Sequence, residues 1–157
     1  MALIVEDGTG MADAEAYVSV ADATTYCTHH GLTAWTGADA VKEVALRNAT
    51  QYLDTQYIYK SEKVLSSQAL EFPRAYWDWT DPEIVRLKAA CCELAVKALS
   101  GALYSEVSAQ ETIKVKVGPI EKTTRPSSSD GQKKYPNVEA LIRPLVAGMG
   151  QIPVARA

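Results

Sequence analysis

This sequence has few of the residues that build catalytic or metal sites. It has two histidines, His29 and His30, and it contains no Gly-x-x-x-x-Gly-Lys loop and no Gly-x-Ser-x-Gly motif. Adjacent histidines on a helix point in different directions, and no Cys or His follows at ligand spacing, so a metal site is not expected. The lack of any nucleophile–base motif favours a protein that is not an enzyme and needs no cofactor.

Long apolar runs are also missing. No stretch of about 18 apolar residues occurs, so no membrane span is expected, and the opening MALIVEDGTG lacks the basic residues of a secretory signal. The three cysteines, Cys27, Cys91 and Cys92, are too few for a disulfide framework and indicate reduced thiols in the cytosol. Residues 7–13, DGTGMAD, lack the final Glu of a calcium loop and predict a turn.

Positive charge is absent from the first 40 residues. They contain six Asp or Glu and no Lys or Arg, which leaves 13 acids and 16 bases, a net charge of +3, for the rest of a chain whose total is −3. This asymmetry would favour head-to-tail contacts between copies, although an ordinary solvated acidic face explains it equally well.

The sequence does contain one strongly apolar helical stretch, residues 81–101. Asp81 is suited to the N-cap, Pro82 to the first helical position and Gly101 to the position after the last turn. Apolar residues recur on nearly every side, which predicts a buried helix that its neighbours surround. They are Ile84, Val85, Leu87, Cys91, Cys92, Leu94, Ala95, Val96, Ala98 and Leu99.

Three further helices are predicted around it. Ser19-Val-Ala-Asp22 is a capping box that begins a helix over about Val20–His30. A longer helix runs from Thr36 or Asp39 to about Gln56, and a last one begins at Pro136 or Asn137 and reaches Val146, with an interruption at Pro144. The apolar stripe of the long helix comprises Val41, Ala45, Ala49, Tyr52 and Leu53.

The fold class predicted is mainly α: a small helical bundle around a buried central helix, with a β-ribbon, an extended loop and extended termini. Residues 1–125 would form the helical domain, which carries an aromatic loop at 57–80 and the ribbon at 112–124. Alternation of Ile and Val with Lys, followed by a Gly-Pro turn, indicates that ribbon. Residues 126–157 would form a linker and a C-terminal helix with its tail.

Aromatic and basic residues together allow two interpretations of the loop. Bases could stack on its rings while its cations contact phosphates, as in proteins that bind single-stranded DNA. The acidic net charge instead favours core packing or a protein interface. The loop residues concerned are Tyr57, Tyr59, Lys60, Lys63, Arg74, Tyr76, Trp77 and Trp79, and a second basic stretch comprises Lys114, Lys116, Lys122, Arg125, Lys133 and Lys134.

Several short motifs, in order, resemble one family of small bacteriophage proteins. They are LIVEDGTGMADAEAYVSVADATTY, ALRNATQYLD, QALEFPR, AACCELAVKALSG and VKVGPIE, and they cover about residues 3–121. Members of this family are head–tail connector, or adaptor, proteins of tailed phages, and many carry the label DnaT-like single-stranded DNA-binding protein. The alternative to a structural adaptor is therefore a DnaT-like single-stranded DNA-binding protein of replication.

The resemblance implies a homo-oligomeric ring, commonly of twelve copies, below the portal in the virion neck. Such a ring extends the DNA channel and docks a stopper or tail-completion protein. The partners expected are further copies, the portal protein, that neck protein and double-stranded DNA that passes through the lumen without sequence-specific contact. The protein would be made in the host bacterial cytoplasm and would have no membrane partner.

Twelve residues on three appendages are expected to contact partners. They are Phe72, Arg74, Tyr76, Trp77 and Trp79 in the aromatic loop, Lys114, Lys116 and Ile120 in the ribbon, and Ile142, Leu145, Ile152 and Val154 in the C-terminal segment. Arginine is well suited to interfaces, which favours Arg74 as an anchor. A salt bridge that holds the loop to its own core explains Arg74 nearly as well.

Overall fold

The computed structural model describes residues 2–104, 113–117, 120–124 and 133–147, with the backbone alone for 113–117 and 120–124. Within these ranges the chain forms four helices and two strands, so the protein is mainly α, as predicted. The elements are α1 (Val20–His29), α2 (Asp39–Gln56), α3 (Pro82–Ser100), β1 (Ile113–Val117), β2 (Ile120–Thr124) and α4 (Pro136–Ile142).

Helix α3 is the element on which the other helices pack. It contacts α1, α2 and α4. Small side chains make these contacts close, since Ala90, Cys91 and Ala95 are completely buried. Val85 was expected to join this apolar surface, but its side chain is 57% exposed because it lies along an open groove rather than beneath a neighbouring helix.

The two predicted N-caps behave differently. Ser19 begins α1, where its hydroxyl accepts a 3.1 Å hydrogen bond from the Asp22 N–H and donates to the Asp22 carboxylate, so the capping box is confirmed. Asp81 occupies the N-cap position of α3, but its carboxylate accepts from the Asp78 N–H at 2.9 Å instead of from the helix. The Asp81 carboxylate that was expected to cap α3 therefore stabilises the preceding turn instead.

Helix α2 begins at Asp39, the later of the two predicted starts. Ala45, Ala49, Tyr52 and Leu53 of its predicted stripe are buried, but Val41 is 52% exposed. The buried residues of α2 begin only at Ala45, so the first turn of the helix contributes nothing to the core. Periodicity identified the correct face and could not show where along the helix packing starts.

The C-terminal helix belongs to the same core as the rest of the chain. Helix α4 ends at Ile142, before Pro144, and is shorter than predicted. The chain then turns, and Val146 forms an antiparallel bridge with Tyr59. Val138, Ile142 and Val146 lie in one buried cluster with residues of α2 and α3. This segment is therefore packed against the other helices rather than appended to them.

The remaining predicted elements are short. Residues 7–13 form a turn, in which the buried Glu6 carboxylate accepts hydrogen bonds from the N–H groups of Gly8, Gly10 and Met11. Strands β1 and β2 form the predicted antiparallel ribbon, with Val115 opposite Lys122. Among the described residues, no helix is both long and apolar enough to cross a bilayer.

Candidate functional site

The aromatic loop folds around Phe72. This side chain is completely buried, with its ring centroid 4.8 Å from that of Tyr59, 6.0 Å from that of Trp77 and 6.2 Å from that of Tyr17. The rings of Tyr17 and Tyr59 are nearly perpendicular to that of Phe72 and the ring of Trp77 is tilted, and rings at these separations form a cohesive core. Phe72 therefore offers no surface to a partner in this conformation.

Arg74 has the second of the two roles that the sequence allowed. It is 8% exposed, pairs with the Glu71 carboxylate and donates to the Ser61 carbonyl oxygen. Burial alone would raise the pKa of Glu71, but hydrogen bonds from Lys63 and Arg74 outweigh burial and hold that pKa below its ordinary value. Lys63 and Arg74 are thus engaged by Glu71 within the loop, and Arg74 holds the loop to its own core.

The other predicted contact residues have mixed positions. Tyr76 is 82% exposed, whereas Trp77 and Trp79 are partly buried, and the Lys88 ammonium lies 4.4 Å from the centre of the Trp79 ring. Ile142 and Leu145 are completely buried in the core, so their predicted contact with a partner is replaced by internal packing. Only the backbone is described for Lys114, Lys116 and Ile120, and Ile152 and Val154 lie outside the described residues.

A second aromatic cluster lies at the far end of α2. Tyr52 is its centre, and the ring centroids of Tyr57, Tyr104 and Tyr135 lie 6.4, 5.2 and 5.5 Å from that of Tyr52. Tyr52 is buried, Tyr57 and Tyr135 are partly buried, and Tyr104 is 39% exposed. The cluster therefore has one buried ring at its centre, two partly buried rings and one exposed ring, that of Tyr104.

Hydrogen bonds bring three distant segments together at this cluster. The Tyr52 hydroxyl donates to the Lys133 carbonyl oxygen at 3.2 Å, and the Tyr135 hydroxyl donates to the Leu103 carbonyl oxygen at 3.2 Å. The Lys133 ammonium donates to the Ala102 carbonyl oxygen at 2.7 Å. Residues 102–104 and 133–135 are thereby held beside the end of α2.

Three exposed lysines adjoin the four tyrosines. Lys97 and Lys134 line a groove of about 400 Å³ beside Tyr135, which also contains Glu93. Lys133 and Lys134 line a smaller pocket of about 160 Å³ with Tyr52 and Tyr57. We call this region the tyrosine–lysine surface; it comprises Tyr52, Tyr57, Tyr104, Tyr135, Lys97, Lys133 and Lys134.

Three tyrosines of this surface, Tyr52, Tyr57 and Tyr135, remain uncharged at neutral pH. Burial raises the pKa of Tyr52 to about 12, with further contributions from Tyr135 and Tyr104, and burial also raises the pKa of Tyr57 and Tyr135. Neutral phenol rings can stack on planar groups, and the lysines beside them can contact anions. The surface thus combines aromatic rings and cations on one side of the molecule.

The sequence singled out Tyr57, Lys133 and Lys134 as candidates for DNA contact, but it did not predict that they meet in one surface. Tyr52 was placed on an apolar helix stripe and Tyr57 in the aromatic loop, while Tyr104 and Tyr135 belong to no motif. The one local signal is Lys133-Lys134-Tyr135, where basic and aromatic residues are adjacent. Within the described part of the chain, no group of three or more His, Cys, Asp or Glu residues is placed to hold a metal ion.

Fold and surface together define a small, mainly α protein with a mixed aromatic and basic face. A family model described as "Putative DnaT-like ssDNA binding protein" matches residues 1–157, and the chain belongs to that family. No curated protein and no solved structure matched the chain.

Proposed function

We propose that this protein binds single-stranded DNA through the tyrosine–lysine surface, without catalysis. Two observations support the proposal: the family that matches the whole chain, and the presence of tyrosine rings beside exposed lysines at the end of α2. Among the described residues, Lys97, Lys133 and Lys134 form no salt bridge. In the aromatic loop, Lys63 and Arg74 both pair with Glu71. Lys60 and Lys133 each donate one hydrogen bond to a backbone oxygen, so the two regions differ in their ion pairs.

Binding of single strands that tolerates any sequence depends on base stacking and on phosphate contacts. Every base has a flat face, and stacking on an aromatic side chain contributes about 1–3 kcal/mol per base. Lysines beside the rings neutralise phosphates and release counterions. Tyr104 supplies the most exposed ring of the surface, and the exposed Lys133 and Lys134, neighbours in the chain, supply the cations.

Substitutions on this surface test the proposal. Tyr104→Ala should weaken oligonucleotide binding about 5-fold or more, because one stacking platform is removed. Replacing both Lys133 and Lys134 with Gln should reduce the slope of log K against log salt by about 1.4, since two phosphate contacts are lost. Fluorescence anisotropy of a labelled oligonucleotide, titrated with protein at several salt concentrations, measures both effects.

Tyr76→Ala is the matched control, because Tyr76 is an exposed tyrosine on the aromatic loop. It should leave binding unchanged. If Tyr76→Ala abolished binding while Tyr104→Ala did not, the loop would be the binding site. Absence of oligonucleotide binding by the unmodified protein at low salt would refute the proposed function.

A structural adaptor in a phage neck is the second candidate. It is supported by the motif resemblance and by exposed apolar side chains, which contacts between copies would remove from water. Val41 and Val44 lie one turn apart on α2, and both are more than half exposed. In this proposal the chain forms a ring with further copies, and that ring contacts the portal protein and the next neck protein.

A further inference from the structure

Glu139 lies in the part of the tyrosine–lysine surface best suited to hold one base. It occupies the first turn of α4, is partly buried, and lines the pocket of about 160 Å³ together with Tyr57, Lys133 and Lys134. Its charge is also close enough to contribute to the raised pKa of Tyr52 and Tyr57. Among the described residues it forms no salt bridge.

Glu139 is the only acidic residue that lines this pocket within the described chain. The other carboxylate of the surface, Glu93, lines the neighbouring groove and accepts a hydrogen bond of 3.4 Å from the Tyr26 hydroxyl. Lys133 and Lys134 suit the phosphates on either side of a base, and Tyr57 suits its flat face. The polar edge of that base would then face Glu139.

An ionised carboxylate accepts hydrogen bonds and cannot donate them. Cytosine presents an amino group on the edge where thymine presents a carbonyl oxygen. A glutamate beside a stacked pyrimidine would therefore bind the amino group of cytosine and repel the oxygen of thymine. Adenine and guanine also carry an amino group, so the comparison that isolates this contact is between the two pyrimidines.

We infer that Glu139 is a specificity-determining residue, which makes the tyrosine–lysine surface bind cytosine-containing single strands in preference to thymine-containing ones. The inference rests on the proposed function, and it names which strands the surface selects. It is distinct from the general stacking and phosphate contacts, which accept any base.

Two pyrimidine homopolymers test it. Oligodeoxycytidine and oligodeoxythymidine of equal length carry the same number of phosphates, so that backbone contacts cancel in the comparison. The unmodified protein should bind oligodeoxycytidine about 5-fold more tightly or better, the low end of what one base contact contributes. Glu139→Gln should bring the ratio close to one, mainly through tighter binding of oligodeoxythymidine, because an amide can also donate to the thymine oxygen.

Glu62→Gln is the charge-matched control, since Glu62 is exposed on the aromatic loop and lines neither this pocket nor its neighbouring groove. It should leave the ratio unchanged. Equal binding of the two homopolymers by the unmodified protein, or an equal gain for both in Glu139→Gln, would overturn the inference and leave the proposed function intact. If neither homopolymer bound at low salt, the proposed function would fail as well.

Discussion

At the scale of single residues, a buried polar network joins α2 to the aromatic loop. The Asp54 carboxylate accepts hydrogen bonds from the Tyr17 hydroxyl at 2.5 Å and from the Glu71 N–H at 3.1 Å. The Tyr17 hydroxyl in turn accepts from the Phe72 N–H at 3.2 Å. Burial raises the pKa of Asp54 to about 6, although both hydrogen bonds to its carboxylate favour the ionised form.

This raised pKa predicts a pH dependence with a definite sign. The folded state binds a proton on Asp54 more tightly than the unfolded chain does, so the stability contributed by protonation is complete below about pH 4 and is lost as pH rises through about 6. The loss amounts to at most about 3 kcal/mol of unfolding free energy. Asp54→Asn, which cannot titrate, should lack this loss.

Urea unfolding of both proteins between about pH 4 and pH 7 measures the effect. Groups whose pKa is lowered, such as Glu15 and Glu71, act in the opposite direction and are present in both proteins. The informative quantity is therefore the difference between the two pH profiles. If that difference were flat over this range, Asp54 would not titrate as its environment indicates.

At the scale of elements, α4 packs into the core, although its position in the chain led us to expect a contact with a partner. Ile142 and Leu145 were expected to face a partner because a polar segment separates them from the main helices. The structure buries both completely, and the backbone of residues 145–147 pairs with that of residues 58–60. Helix α4 therefore packs directly against α3 and belongs to the same core.

Truncation of one buried side chain tests this role. Ile142→Ala should lower the free energy of unfolding by about 2–5 kcal/mol, because it leaves a cavity in the shared core. Leu141→Ala, on the same helix but only partly buried, should cost clearly less. Chemical denaturation followed by circular dichroism compares the two variants. Equal and small effects would mean that α4 is not part of the cooperative core.

At the scale of the whole molecule, the two candidate functions differ in what they require of the surface. The proposed binding of single-stranded DNA uses the tyrosine–lysine surface, which one copy already contains. A neck adaptor needs apolar contacts between copies, for which Val41 and Val44 on α2 are available. Each function can therefore be tested without disturbing the other.

Assembly is expected to depend on Val44 if the adaptor function holds. Val44→Gln should reduce the ring-sized species seen by sedimentation and negative-stain microscopy, because a solvated amide opposes burial between copies. The free energy of unfolding should change by less than about 0.5 kcal/mol, since the site is exposed in the monomer. A protein that stays monomeric at high concentration, and also when mixed with portal protein, would contradict the adaptor.

Tests of the C-terminal tail must leave α4 in place. A truncation after Lys134 would delete Val138 and Ile142 from the core and would unfold the protein for reasons unrelated to partners. A truncation after Ala147 removes the tail and keeps every buried residue that the structure describes. Loss of portal attachment can be attributed to the tail only in this second variant.

The sequence by itself determined the elements of this protein. Helix starts and ends follow from local signals, such as the Ser19 capping box, Pro82 at the first position of α3, and the apolar period of α2. These signals act between residues a few positions apart, so they can be recognised without knowledge of the fold. The ribbon strands and the interruption at Pro144 were predicted for the same reason.

Only the tertiary structure decided which aromatic and basic residues are available to a partner. Composition indicated the loop, but Phe72 and Arg74 are buried there. The Phe72 ring packs against other rings of the core, and the Arg74 charge pairs with Glu71. Tyr52, Tyr104 and Tyr135 are distant in the chain and meet only because three segments converge at the end of α2. Burial and long-range contact are properties of packing, and no local pattern in the sequence encodes them.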